Sequence, residues 1–181
     1  MPLLILDRDG VINEDSDDFI KSPEEWTPIP GSLEAIARAN RAGYRVAVVT
    51  NQSGIARRKL TIADLHRIHE KMRQQLEAVG GKVEAIAFCP HAPEDHCGCR
   101  KPRPGMFYDI ASRLHTTLCE IPVVGDRFAD IEAARCIGAT PIMVRTGKGQ
   151  KTLEEGHNLT GIAVYQDLSR FIDQLLTNPT P

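Results

Sequence analysis

The chain has almost no net charge: 22 lysines and arginines stand against 24 aspartates and glutamates, a formal −2. That balance leaves no electrostatic footprint for nucleic acid or for an anionic membrane, so neither is an expected partner. No apolar run approaches the roughly 20 residues of a membrane span. Met1-Pro2 leads directly into an apolar segment with no secretory leader, which predicts a cytoplasmic protein with reduced cysteines. Internal repeats and low-complexity tracts are both missing. Cysteines number only five, an odd count, with Cys89, Cys97 and Cys99 close together. That clustering fits metal binding better than a disulfide framework.

What is present is ordinary for a globular chain: 181 residues, 41% hydrophobic and 25% charged. The length suits one domain over 1–181 with a full core. Leu3 to Leu6 is a short apolar run that reads as a buried strand. Further strands are expected over 45–49, 83–88, 121–124 and 140–144, with an edge strand over 162–165. Between them lie helical patterns. Ser32 is positioned to cap a helix that Gly43 stops. Thr61 and Asp64 form a capping-box signature before Leu65, Ile68, Met72 and Leu76. Further helices are expected over 106–114, 131–136 and 168–176. Strands alternating with helices predict an α/β fold: a Rossmann-like, doubly wound parallel sheet with helices on both faces.

The polar residues of interest all follow strands. Asp7 and Asp9 follow the first, Thr50 and Asn51 the second, Cys89 the third and Asp126 the fourth. They therefore gather at the carboxyl edge of the sheet, where open α/β sheets bind ligands. A phosphoryl transfer to a carboxylate needs a nucleophile, a metal, donors for the phosphate oxygens and an acid for the leaving group. Asp7 suits the nucleophile and Asp9 the acid. Asp126, four residues before Asp130 at a helix start, suits Mg²⁺ with Asp7, and the Asp9 backbone carbonyl is a further oxygen ligand. Thr50 and the Thr50–Gly54 segment suit phosphate oxygens. Lys101 brings positive charge, and Arg100 a planar fork for sugar hydroxyls or a second phosphate.

Cys89, His91, Cys97 and Cys99 offer three thiolates and one imidazole, a set that zinc takes tetrahedrally in structural sites. His96 is an alternative to His91; His91 is preferred because its spacing from Cys89 mirrors Cys97-x-Cys99. Such a zinc loop, 89–101, would fix Arg100 and Lys101 over the pocket. Cys119 and Cys136, on apolar segments, are expected to be buried free thiols. Trp26 is expected to be a packing residue, and His66, His69, His115 and His157 carry no partner pattern.

Taken in order, Asp7-Arg8-Asp9-Gly10, Val49-Thr50-Asn51, Lys101-Pro102 and Gly125-Asp126-x-x-x-Asp130 resemble the four motifs of haloacid-dehalogenase-like (HAD) phosphatases. The short stretch between Asp9 and Thr50 leaves no room for a large cap domain there. More narrowly, Asp7 to Asn13, Thr50 to Arg57, Cys99 to Met106 and Arg145-Thr146-Gly147 resemble the family of heptose 1,7-bisphosphate 7-phosphatases of lipopolysaccharide-core biosynthesis. The resemblance implies a small-molecule sugar bisphosphate as substrate and an aspartyl-phosphate intermediate. It implies catalytic roles for Asp7, Asp9, Thr50 and Lys101, and Mg²⁺ on Asp7, Asp9 and Asp126. Asp15, Ser16, Asp17, Asp18, Asn51, Gln52, Ser53, Arg100 and Arg127 would bind substrate, in a protein acting as a monomer. The 15–18 loop departs from many relatives. Histidinol-phosphate phosphatases share the zinc loop and remain the alternative; a receiver-like phospho-acceptor domain is the non-enzyme alternative.

Overall fold

The computed structural model describes residues 1–177, so positions 178–181 of the expected 1–181 domain lie outside the described residues. Six strands form one sheet: β1 (Leu3–Leu6), β2 (Arg45–Asn51), β3 (Ala85–Cys89), β4 (Pro122–Gly125), β5 (Thr140–Val144) and β6 (Ala163–Tyr165). Their order is β3-β2-β1-β4-β5-β6, and every pairing is parallel. The order reverses direction between β1 and β4, the switch point where doubly wound sheets open a crevice.

Alternation along the strands divides the core between the two faces. Leu4, Leu6, Val46 and Val48 pack on one side with residues of three helices, α1 (Ser32–Arg41), α2 (Ile62–Ala78) and α6 (Leu168–Thr177). Leu3, Ile5, Ala47 and Val49 pack on the other with α3 (Gly105–Leu114) and α4 (Phe128–Cys136). Burying each Leu or Ile in this way stabilises the fold by about 1.5–3 kcal/mol. Because both faces are covered, β1 and β2 are nearly continuous apolar runs rather than alternating ones. No large cap is present among the described residues; loops and the first turns of two helices line the carboxyl edge.

Local chemistry explains most boundaries. The Thr61 capping box closes as expected, with Asp64 N–H donating to Thr61 Oγ1 at 3.1 Å and Thr61 N–H to Asp64 Oδ2 at 2.7 Å. Ser32 does not cap α1. Gly31 holds the N-cap position in the left-handed region, and the Ser32 hydroxyl donates to Ile12 O at 2.6 Å, tying the helix start to the β1 loop. Cys119 and Cys136 are exposed, against expectation. Cys119 stands in the turn before β4, and Cys136 ends α4 on its outer side, so apolar neighbours in sequence did not bury them. Trp26 packs in the core as expected. A short helix, α5 (Gly149–Glu154), was not anticipated.

Candidate active site

Asp7 follows the last residue of β1, and its N–H donates to Val124 O at 2.9 Å, so the neighbouring strand fixes its position. Asp7 Oδ1 accepts from Arg8 N–H at 2.8 Å and faces Lys101 Nζ at 2.9 Å. Lys101 is only 5% exposed. Its ammonium also reaches Asp130 Oδ1 at 2.6 Å and Val49 O at 2.8 Å, which places all three donor hydrogens. Despite burial, the two carboxylates hold Lys101 charged, above its ordinary value.

Asp130 sits in the first turn of α4, where its Oδ2 accepts from Arg127 N–H at 3.0 Å. One carboxylate thus caps a helix and anchors the buried lysine. Asp126 lies directly after β4. Its Oδ2 accepts from Lys148 N–H at 2.7 Å, while Oδ1 is buried without a hydrogen-bond partner. Gly10 and Gly147, both at positive φ, approach each other against this carboxylate; a Cβ on either would collide with Asp126.

Carboxylate oxygens of Asp7, Asp126 and Asp130 lie within 4.8 Å of one another, all three residues buried. Burial, opposed by Lys101 and reinforced by Asp130 and Asp9, pushes the Asp7 carboxyl up to about 7. Burial, with Asp7 and Asp130 beside it, raises Asp126 well above the ordinary carboxylate range. Excess buried negative charge and an orphaned Asp126 oxygen fit a hard divalent cation.

Asp9 is differently placed. Its carboxylate lies outside that cluster and accepts from Arg8, from Asn13 Nδ2 at 2.9 Å and from Gln52 Nε2 at 2.8 Å. Although burial opposes it, the Arg8 charge and these donors hold Asp9 below its ordinary value. The same Gln52 Nε2 donates to Thr50 Oγ1 at 2.9 Å, so Thr50 and Asp9 are tied through one amide. Asn51 grips the backbone of Lys101 at both ends: Lys101 N–H donates to Oδ1 at 3.0 Å and Nδ2 donates to Lys101 O at 3.2 Å.

These groups open into a cleft of about 580 Å³. Asp15, Ser16, Asp17, Ser53, Arg100 and Arg127 line it, with Asp7, Asp9, Thr50, Asn51, Gln52 and Lys101. Asp18 does not; it is exposed and paired with Lys21. Arg127 reaches Asp15 at 2.8 Å, and Lys148 pairs with Asp17, which draws the 15–17 loop across the mouth. Lys148 and Lys151 in the wall were missed from sequence. The signal was there: Gly147-Lys148-Gly149 follows β5 at the same sheet edge.

Beside the cleft, Cys89, His91, Cys97 and Cys99 converge; His96 is exposed and stands apart. The sulfurs are 3.3–3.6 Å apart, and His91 Nδ1 is 3.4–3.5 Å from two of them. A tetrahedral zinc with ordinary bond lengths has edges of about 3.6–3.8 Å, so the four donors fit one ion. Arg100 N–H points to Cys97 Sγ at 3.4 Å and its guanidinium to His91 O at 3.4 Å. The loop therefore carries Arg100 to the cleft.

Comparison with known proteins decides the family. The chain is 51% identical over 176 residues, covering 97% of it and 98% of the relative, to the D-glycero-beta-D-manno-heptose-1,7-bisphosphate 7-phosphatase of Bordetella bronchiseptica. The chain belongs to the heptose-1,7-bisphosphate 7-phosphatase family. A Pseudomonas aeruginosa member is 50% identical over 96% of the chain and 97% of its own length. The Bordetella family member's crystal structure, complexed with magnesium and phosphate, matches with a TM-score of 0.94 over 98% of this chain and 99% of that one. The broader HAD assignment agrees: a HAD-hydrolase-like family model matches residues 98–171, and one described as polynucleotide kinase 3 phosphatase matches 3–134.

Proposed function

We propose that the chain is a Mg²⁺-dependent phosphatase that removes the 7-phosphate of D-glycero-β-D-manno-heptose 1,7-bisphosphate through a phosphoaspartate at Asp7. The observation that carries the reading is 51% identity across nearly the whole chain to a protein of that name. The buried carboxylate and lysine cluster at the switch point supplies the chemistry.

Asp7 Oδ2, free of the Arg8 and Lys101 contacts, is the attacking oxygen. Lys101 and the Thr50 hydroxyl neutralise and orient the transferring oxygens. Asp9 gives a proton to the departing alcohol oxygen and then takes one from the attacking water. In the substrate-free site its donors keep it ionised, and the charge of an entering phosphate raises its proton affinity. Asp7 and Asp126 hold Mg²⁺, with Asp130 beside them and the Asp9 carbonyl as a further ligand. When bound, that ion offsets phosphate charge and polarises the P–O bonds. Ser16, Asp15, Asp17 and Ser53 contact the sugar, and Arg100 and Arg127 take the phosphate that is not transferred. Asn51 and Gln52 act by holding Lys101, Thr50 and Asp9 in register, and Asp18 stays outside the cleft.

Cys89, His91, Cys97 and Cys99 would hold a structural zinc, whose role would be to fold the loop rather than to take part in the chemistry. A cytoplasmic location, where thiols stay reduced and free to ligate metal, suits such a loop. Among the described residues no helix is long and apolar enough to cross a membrane. Every catalytic group of this reading comes from a single chain, which supports action as a monomer.

The test is phosphate release from heptose 1,7-bisphosphate and histidinol phosphate at matched concentration. The heptose substrate should be preferred, and Asp7→Asn should lower its turnover by about a thousandfold or more. Preference for histidinol phosphate, or undiminished turnover by Asp7→Asn, would overturn the reading.

A further inference from the structure

Arg8 stands between the two aspartates that do the chemistry, yet its own side chain is fully buried. A buried guanidinium must have its donors placed. Nε donates to Asp9 Oδ1 at 3.0 Å, and Nη2 reaches Oδ1 at 2.8 Å and Oδ2 at 3.0 Å. Nη1 turns the other way and meets His69 Nε2 at 3.2 Å. Arginine has only hydrogens to offer, so Nε2 accepts and the imidazole carries its hydrogen on Nδ1. Burial, with the Arg8 charge beside it, lowers the His69 ring to about 3, and it stays neutral throughout the working range.

His69 belongs to α2, a helix that contributes nothing to the cleft itself. The capping box at Thr61 and the core residues Leu65, Ile68, Met72 and Leu76 hold that helix rigidly. Phe88 of β3 packs edge-on against the imidazole, with ring centroids 6.4 Å apart. From a fixed helix, then, a neutral ring sets the guanidinium, and the guanidinium grips both oxygens of the proposed acid.

We infer that His69 is a positioning residue of the reaction: it fixes Arg8, and Arg8 fixes the carboxylate of Asp9 where it meets the leaving oxygen. This rests on the phosphatase reading above. Asp9 takes up a proton from solvent as the phosphate enters; in the first half-reaction the substrate P–O bond breaks, the bond from Asp7 to phosphorus forms, and that proton moves from Asp9 to the departing oxygen. In the second, water attacks phosphorus, Asp9 takes its proton, and the Asp7–phosphorus bond breaks. An alkoxide needs that first proton, whereas nitrophenolate departs as a stable anion without it. Misplacing Asp9 therefore penalises alkyl phosphates selectively in kcat/KM, which ends at departure of the leaving group; hydrolysis of the common phosphoaspartate affects kcat for both, and a merely structural loss of active protein lowers both substrates alike.

The experiment compares kcat/KM for glycerol phosphate and p-nitrophenyl phosphate in the parent, His69→Leu, His69→Gln and Arg8→Lys. Leucine removes the acceptor; the glutamine carbonyl restores one. The alkyl-to-aryl ratio should fall by about tenfold or more in His69→Leu, the scale of lost acid assistance, and should recover in His69→Gln. Should His69→Leu not fold, Arg8→Lys carries the same readout, because lysine cannot grip both Asp9 oxygens. An unchanged ratio, or equal loss with glutamine and leucine, overturns the inference. A parent inactive on every phosphomonoester would instead overturn the phosphatase reading.

Discussion

Asn51 lines the cleft and at the same time holds a neighbouring residue of the site. Its amide pairs with the N–H and carbonyl of Lys101, whose ammonium links Asp7 to Asp130. Asn51→Ala leaves those two backbone groups without their partner and lets Lys101 shift. Losing the pair costs about 1–3 kcal/mol, so kcat/KM should fall by about tenfold to a hundredfold, read from steady-state phosphate release. An effect below twofold would mean that Lys101 is held by its carboxylates alone. At this scale the sequence was informative where chemistry is written in residue type. Two acids past a strand, an acid pair at a helix start and a Cys/His cluster each name their neighbours through spacing. It was silent where a role depends on a distant partner. Nothing in the sequence links Asn51 to Lys101 or His69 to Arg8, because the link is parallel pairing and helix packing across 50 and 61 positions.

Elements were legible where periodicity was strong, and obscure where a short segment is held by its surroundings. The buried strands β1 and β2 and the capped helix α2 could be read directly, because apolar runs and a capping box leave few alternatives. α5 could not, since Gly149–Glu154 carries no apolar period. It forms where Thr152 Oγ1 donates to Asp126 O at 2.9 Å and Lys148 N–H to Asp126 Oδ2, contacts made only in the folded site. The 89–101 loop is the opposite case: it has little core of its own, and its ligand set announces how it folds. Cys97→Ala removes one of the four proposed zinc ligands and the sulfur that accepts Arg100 N–H. Zinc content should fall from about one ion per chain toward zero by elemental analysis. KM for the bisphosphate should rise about tenfold with kcat less affected, because Arg100 is displaced while Asp7 and Asp126 are not. Unchanged zinc content would reject the assignment.

Across the whole molecule, the arrangement places a surplus of negative charge at the switch point of an otherwise ordinary parallel sheet. Among the described residues, Asp7, Asp9, Asp126 and Asp130 face only Lys101 and Arg8 as buried cations. Folding without a cation therefore favours protonated carboxylates at Asp7 and Asp126. For Asp7, raised from 3.8 to about 7, this contribution to stability is fully present below the ordinary value and is lost as pH rises through 7. Asp126 is raised as well and acts in the same direction. Asp9, held low, acts oppositely, but only as pH falls below the ordinary carboxylate range, so it is silent above pH 5. Metal-free protein should thus lose thermal stability between pH 5.5 and 8, and Mg²⁺, which binds the ionised cluster, should restore it. At a hundredfold excess over the dissociation constant the gain is about 2.7 kcal/mol, or roughly 5–10 °C in Tm for a chain of this size. Near pH 5.5 the same Mg²⁺ must displace protons from Asp7 and Asp126, so the rise in Tm should be visibly smaller. Thermal melts with Mg²⁺ or a chelator at the two pH values read this difference. Equal Mg²⁺ shifts at both would mean that the cation does not sit among these carboxylates.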